Sequence, residues 1–160
     1  MKHTYLSMIS VIEHLHRQFL DLISAELERN SVQDINSIQA NILFNIGTSD
    51  LTVGELTLRG CYLGSNVSYN VKKLVETGYL IQQRSAHDRR SVRVRLSPKG
   101  LTLCAGMDAM HDRHLGELAG GPIDAAAIND TLTTLRRFDR FWHRMAEHGL
   151  QPGALAYRAA

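Results

Sequence analysis

Arginine and lysine crowd one stretch of this 160-residue chain. From Arg59 to Gly100 stand nine basic residues: Arg59, Lys72, Lys73, Arg84, Arg89, Arg90, Arg93, Arg95 and Lys99. Only two acids, Glu76 and Asp88, stand among them. The stretch is net +7 in a chain of formal charge +2, so the remainder is net −5. Cationic side chains concentrated in this way suit a polyanion, whose condensed counterions they displace. Within the stretch Val92, Val94 and Leu96 alternate with Arg93 and Arg95, the period-2 pattern of a half-buried strand. Arg89 and Arg90 then fall on the tip of a hairpin.

Other side chains raise other chemistries. There are eight histidines and two cysteines. His14 and His16 point about 200° apart on a helix, a poor chelate. His111 and His114 share a face at i, i+3, but a zinc site needs three or four ligands and no cysteine or acid completes this one by spacing. Cys61 and Cys104 make no disulfide framework, and free cysteines usually serve as small buried hydrophobes. Cys61, just ahead of a helix start, is the better candidate for a reactive thiol. A glycine-rich phosphate loop, a zinc-protease signature and a nucleophile elbow are all missing. Asp108, Asp112 and Glu117 read as a solvated helix face. The expectation is a binding protein and not an enzyme, with no metal and no cofactor. No apolar run approaches the ~20 residues that cross a bilayer, and no secretory pattern follows Met1, so a cytoplasmic chain is expected.

The elements that must position the basic groups follow from periodicity. Residues 5–29 read as a long amphipathic helix, with Tyr5, Met8, Ile12, Leu15, Phe19, Leu22 and Ile23 on one face. Leu6, Ile9 and Leu20 widen that face beyond what one contact needs. Residues 30–34 are a polar break. Asn36 with Gln39 forms a capping-box variant that opens a helix carrying Ile38, Ile42, Leu43 and Ile46. Thr52 with Glu55 opens a short helix to about Arg59. A third helix spans about 65–77, buries Val67, Val71, Leu74 and Val75, and stops at Gly78 in a left-handed cap. Strands follow at 79–84 and 92–96. Ser97-Pro98 caps a helix that runs to Leu118. Gly120-Gly121-Pro122 breaks it, and a last helix covers about 124–147, with Ile128, Leu132, Leu135, Phe138, Trp142 and Met145 in an apolar row. The fold class is mainly α (α+β). Three short helices and a basic hairpin have the order of a winged helix-turn-helix, flanked by long terminal helices.

On these residues the chain resembles the MarR family of bacterial transcription regulators. The family's wing motif reads Asp-x-Arg, five residues, Leu-Thr-x-x-Gly. Asp88, Arg90, Leu96, Ser97 and Gly100 fill it here, with Ser for Thr. Val67-Ser68, and then Leu74 to Leu80, resemble the recognition helix and its entry into the wing. One departure is Ser68-Tyr69, where relatives often carry Thr-Arg; tyrosine cannot make arginine's bidentate guanine contact.

The resemblance implies a homodimeric DNA-binding transcription regulator, expected to repress by occupying an inverted-repeat operator on double-stranded DNA and to be released by a small organic effector. Residues 1–33 are expected to form a dimerisation helix, 34–100 the DNA-binding domain, and 101–160 further dimerisation helices and a tail. Ser65, Asn66, Ser68 and Tyr69 would meet base edges in the major groove. Asn70, with Asn66, is of a type suited to adenine. Lys72 and Lys73 would meet phosphates. Arg89 and Arg90 would enter a minor groove, Arg93 would approach phosphate, and Asp88 would brace the wing through Arg90. Leu15, Phe19, Asn41, Phe44 and Tyr62 are the expected effector pocket. The competing readings are a metal- or thiol-sensing regulator of the same fold and a winged helix that docks on protein.

Overall fold

A computed structural model describes residues 1–60, 64–84 and 92–149. The order is α1 (Lys2–Arg29), α2 (Ser37–Ile46), β1 (Leu51–Thr52), α3 (Val53–Gly60), α4 (Gly64–Glu76), β2 (Leu80–Arg84), β3 (Val92–Leu96), α5 (Pro98–Leu118) and α6 (Ala125–Gly149). The chain divides into a unit Met1–Asp112 and a second unit from Arg113 onward.

The starts of α2, α3, α5 and α6 lie where local chemistry supplies acceptors for orphan amides. The Gln39 amide donates to Asn36 Oδ1 at 2.9 Å, and the Asn36 amide donates to Gln39 Oε1 at 3.1 Å. The Glu55 amide donates to Thr52 Oγ1 at 3.2 Å, and the Thr52 amide donates to Glu55 Oε2 at 2.7 Å. The Gly100 amide donates to Ser97 Oγ at 3.1 Å, and the Ala127 amide to Asp124 Oδ1 at 2.8 Å. The end of α4 is equally explicit. Gly78 has φ +78°, and the amides of Gly78 and Tyr79 close back on the carbonyls of Val75 (3.1 Å) and Leu74 (2.9 Å), a Schellman motif.

The first unit's core gathers Ile23 of α1, Ile42, Leu43 and Ile46 of α2, Leu56 of α3, Val67 and Leu74 of α4, Val94 of β3 and Met107 of α5, all essentially buried. Ile38, in the first turn of α2, is exposed, unlike Ile42, Leu43 and Ile46. The sheet has the order β1-β3-β2, antiparallel throughout. Leu51 pairs with Val94, and Leu80 with Leu96. The two-residue strand β1 is absent from the sequence reading, because so short a segment carries no periodicity and exists only through its partner. The second unit has α6, where Phe138 and Trp142 lie 5.8 Å apart between ring centroids.

Gly100 is buried where α5 crosses the start of the hairpin. A Cβ there would sit 2.4 Å from the Tyr79 carbonyl oxygen and 3.2 Å from Leu96 Cδ2. The backbone approach therefore requires glycine. Gly100→Ala should destabilise the chain by about 1–3 kcal/mol through overpacking against backbone, measured as a lower urea midpoint with unchanged slope. An unchanged midpoint would show that α5 shifts freely.

Candidate nucleic-acid interface

Helix α4 presents two chemically distinct faces. Val67, Val71 and Leu74, at i, i+4 and i+7, are buried against the core. Asn66, Ser68, Tyr69, Lys72 and Lys73 face solvent. Tyr69 is 67% exposed, so its ring is available to a partner and is not packed under the hairpin. Ser65 lies in the first turn of the same helix. Lys72 and Lys73 both approach Glu76, at 4.0 Å and 3.6 Å. Exposed pairs of this kind are worth about 0–1 kcal/mol, so a phosphate competes for these ammonium groups easily.

Two positions differ from the sequence reading. Asn70 has both ends of its amide engaged: Nδ2 donates to the Asn66 carbonyl at 2.8 Å, and Oδ1 accepts from Gln39 Nε2 at 3.2 Å. An amide held in this way is not free to read adenine. Arg93 turns toward the loop before β1, where its Nε lies 3.2 Å from Asp50 Oδ1 and its Nη2 donates to the Asp50 carbonyl. Part of its charge is thereby answered within the protein. Arg95, on the same strand face, is exposed. Asp88, Arg89 and Arg90 lie outside the described residues, as do Tyr62 and Cys61.

Beneath the end of α4 lies a polar cluster that the sequence does not announce. Lys99 Nζ donates to Asp34 Oδ2 at 2.6 Å and to the Thr77 carbonyl at 3.0 Å, and it stands 4.0 Å above the Tyr79 ring. The Tyr79 hydroxyl donates to Asp34 Oδ1 at 2.8 Å, and Ser97 Oγ donates to the Gly78 carbonyl at 2.6 Å. Burial would raise the Asp34 carboxyl, but hydrogen bonds from Lys99 and Tyr79 outweigh it and hold the group below the usual carboxylate value. Such a carboxylate adds stability above its unfolded value and loses it as pH falls through the lowered folded value. Burial, and then the Asp34 carboxylate, push the Tyr79 hydroxyl up. The hydrogen bond to Asp34 is the chief reason the Lys99 ammonium is also held high.

Of the five expected effector residues, Leu15, Phe19, Asn41 and Phe44 are described and Tyr62 is not. Phe19 stacks on His111 at 6.1 Å between centroids, and Phe44 meets the same imidazole edge-on at 4.9 Å. Asn41 lines a different cleft of about 310 Å³ beside Ile38, Asn66 and Tyr69. Leu15 is 56% exposed. A cavity of about 380 Å³ lies elsewhere, between the end of α1 and the start of α5, lined by Ile23, Leu27, Tyr79, Lys99, Leu103 and Met107. Among the described residues no group of three or more His, Cys, Asp or Glu is placed to hold a metal ion. No helix among them is long and apolar enough to cross a membrane.

An exposed polar helix on a three-helix core, followed by a two-stranded hairpin, defines a winged helix-turn-helix protein. A model of the MarR family matches residues 33–91. The exopolysaccharide II synthesis transcriptional activator ExpG of Rhizobium meliloti (strain 1021) is 39% identical over 147 residues, covering 92% of this chain and 76% of that protein. The structure of Streptococcus pneumoniae FabT in complex with DNA is similar with a TM-score of 0.71 at 19% identity, over 88% of this chain and 99% of that one. A MarR transcriptional regulator from Methanosarcina mazei Go1 gives 0.70 at 24% identity, over 85% and 96%. These two likenesses speak for the fold. The chain belongs to the MarR family and is a DNA-binding transcription regulator.

Cys104 is half-buried against the core, and burial pushes its thiol up to about 11. Little thiolate exists near neutrality, and the thiolate is the nucleophile. In a Cys61→Ser background, alkylation of Cys104 by iodoacetamide at about pH 8 should run on the order of a hundredfold slower than in urea. Equal rates in the folded and unfolded chain would reverse that assignment.

Proposed function

We propose that the chain binds an inverted-repeat duplex as a homodimer, with α4 in the major groove and the arginine-bearing wing against the backbone or minor groove. The observation that carries this reading is the outward face of α4, with Tyr69 and Lys72 exposed on a helix whose other face is locked into the core. Asn66, Ser68 and Tyr69, with Ser65 in the same first turns, are the candidates for base edges. Lys72 and Lys73 suit phosphates, and so do Arg89 and Arg90 at the wing, with Asp88 as its brace. Arg93 would reach phosphate only by leaving Asp50. The similar FabT structure contains DNA, which supports this use of the fold. A basic wing also favours duplex DNA over a protein partner, since docking on protein needs no such charge.

Dimerisation is supported by apolar side chains left in water. Leu6, Val11, Leu15 and Leu22 are exposed on α1, and Ile128, Leu132, Leu135, Phe141 and Met145 on α6. Covering such rows with a second copy places two α4 helices on one side of a two-fold axis. In this scheme 1–33 and 101–160 serve assembly and 34–100 serves DNA. The chain acts by binding and not by catalysis, and it works in the cytoplasm, where a bacterial chromosome lies.

For direction of control, the name of the 39% identical relative favours activation over the repression expected above. A promoter fusion with and without the chain reads the sign directly. For a small organic effector, the cavity beside Tyr79 and Lys99 is better placed than the residues around His111. Its lining is mostly apolar, with Glu26, Asn30 and Lys99 as polar groups, and Lys99 holds the carbonyl of Thr77 at the end of α4. An occupant that moves Lys99 acts on that helix.

Two outcomes test the reading. Lys72→Ala should weaken binding to specific and random duplexes alike, whereas Tyr69→Ala should cost mainly specific affinity, about 1–3 kcal/mol per half-site. Equal loss on both duplexes with Tyr69→Ala would mean that this ring carries no sequence information. Leu135→Asp should convert a sedimenting dimer to monomer, because the substitution places a charge in an apolar interface. A wild-type chain that stays a folded monomer at micromolar concentration would remove the two-half-site arrangement.

A further inference from the structure

We infer that Gln39 and Asn70 form a positioning pair that fixes the rotation of α4 about its own axis and so sets how sharply the chain discriminates between DNA sequences. The inference rests on the DNA-binding reading above, and neither side chain is assigned to touch DNA.

Gln39 is only 6% exposed, and each polar atom of its side-chain amide has a named task. Oε1 accepts the Asn36 amide at 3.1 Å, completing the cap of α2. Nε2 donates to Asn70 Oδ1 at 3.2 Å, across 31 residues of sequence. Asn70 Nδ2 then donates to the carbonyl of Asn66 at 2.8 Å, one turn earlier on α4. A continuous polar chain thus runs from the N-cap of α2 into the first turn of α4, beside the outward-facing Asn66, Ser68 and Tyr69.

Between this pair and the polar cluster at its C-terminal end, α4 packs on the core through apolar Val67, Val71 and Leu74. Apolar burial is non-directional and tolerates small rotations. A hydrogen bond is not tolerant, because it weakens steeply with distance and angle. A rotation of about 20° carries an atom at the helix surface, about 5–6 Å from the axis, through about 2 Å. That displacement breaks a base-edge contact. A flexible lysine still finds its phosphate. Loss of the pair should therefore erode specific affinity and leave sequence-independent affinity in place.

The test uses the full-length chain. The wild-type chain first selects duplexes from a randomised library. The most enriched duplex and a shuffled duplex of the same composition are then titrated with Gln39→Met, Gln39→Glu, Asn70→Ala and the double variant Gln39→Met/Asn70→Ala. Gln39→Glu keeps the acceptor that caps α2 but cannot donate to Asn70. Asn70→Ala breaks the same link from a half-buried position with that cap untouched, so the inference stays testable if the Gln39 variants fail to fold. The ratio of selected to shuffled affinity should fall at least about fivefold, the low end of the loss from one mismatched base pair. Shuffled-duplex affinity should stay within about twofold. The double variant should lose no more than either single one, as expected for groups acting as a unit. An unchanged ratio in folded variants, or equal loss on both duplexes, overturns the inference. A changed preference at one base position with Asn70→Ala but not with Gln39→Met also overturns it, because Asn70 would then read that base itself. If the wild-type chain enriches no sequence, the reading of sequence-specific binding falls, and this inference with it.

Discussion

The closure of α4 at its C-terminal end is the constraint from which the arrangement of α4, the hairpin and α5 follows. A helix end leaves carbonyls without intrahelical partners. Here Gly78 and Tyr79 turn back to answer two of them, which is possible because Gly78 adopts a left-handed conformation. The Thr77 and Gly78 carbonyls are answered from a distance, by Lys99 and Ser97 at the start of α5. The Ser97 amide in turn donates to the Tyr79 carbonyl at 3.0 Å. One small cluster therefore fixes three things: where α4 stops, where the hairpin begins, and how closely α5 approaches.

Asp34 extends the same cluster into the loop between α1 and α2. Its two oxygens are divided between Lys99 and the Tyr79 hydroxyl. The long first helix and the outward-facing helix are thus linked through charge-assisted hydrogen bonds, which are stronger than neutral ones. At the other end of α4, Gln39 and Asn70 supply a second directional anchor. Between the anchors the helix rests on apolar contacts that position it only loosely. This division explains why a helix made to expose polar side chains can still hold them to a fixed bearing.

The electrostatics show the same economy. The positive stretch is not uniformly free: Asp50 holds Arg93, and Glu76 leans toward Lys72 and Lys73. Exposed pairings are weak and screened by salt. A polyanion with a high local charge density displaces them, whereas an ordinary acidic surface does so less readily. Internal acids thus restrain the basic face until a strong enough partner arrives.

Much of this was legible in the amino acids alone. The capping pairs Asn36–Gln39 and Thr52–Glu55, the stop at Gly78 and the Ser97 start are local chemistry, and each sits where the residue types placed it. The apolar period of α4 correctly separated its buried face from its polar one, because the two faces of a helix follow from spacing. The wing motif carried the family. What the sequence could not decide was partnership between distant residues. Strand β1 exists only by pairing with β3. Asn70 and Arg93 look alike, as free polar groups, until Gln39 and Asp50 arrive from elsewhere in the chain. Asp34 reads as part of a polar break until Lys99, 65 residues away, closes on it. Gly100 reads as one letter of a motif until the Tyr79 carbonyl is found against it. Local propensity acts over one or two helical turns. Which side chain is left to face a partner is set by packing across tens of residues, and only the folded chain decides it.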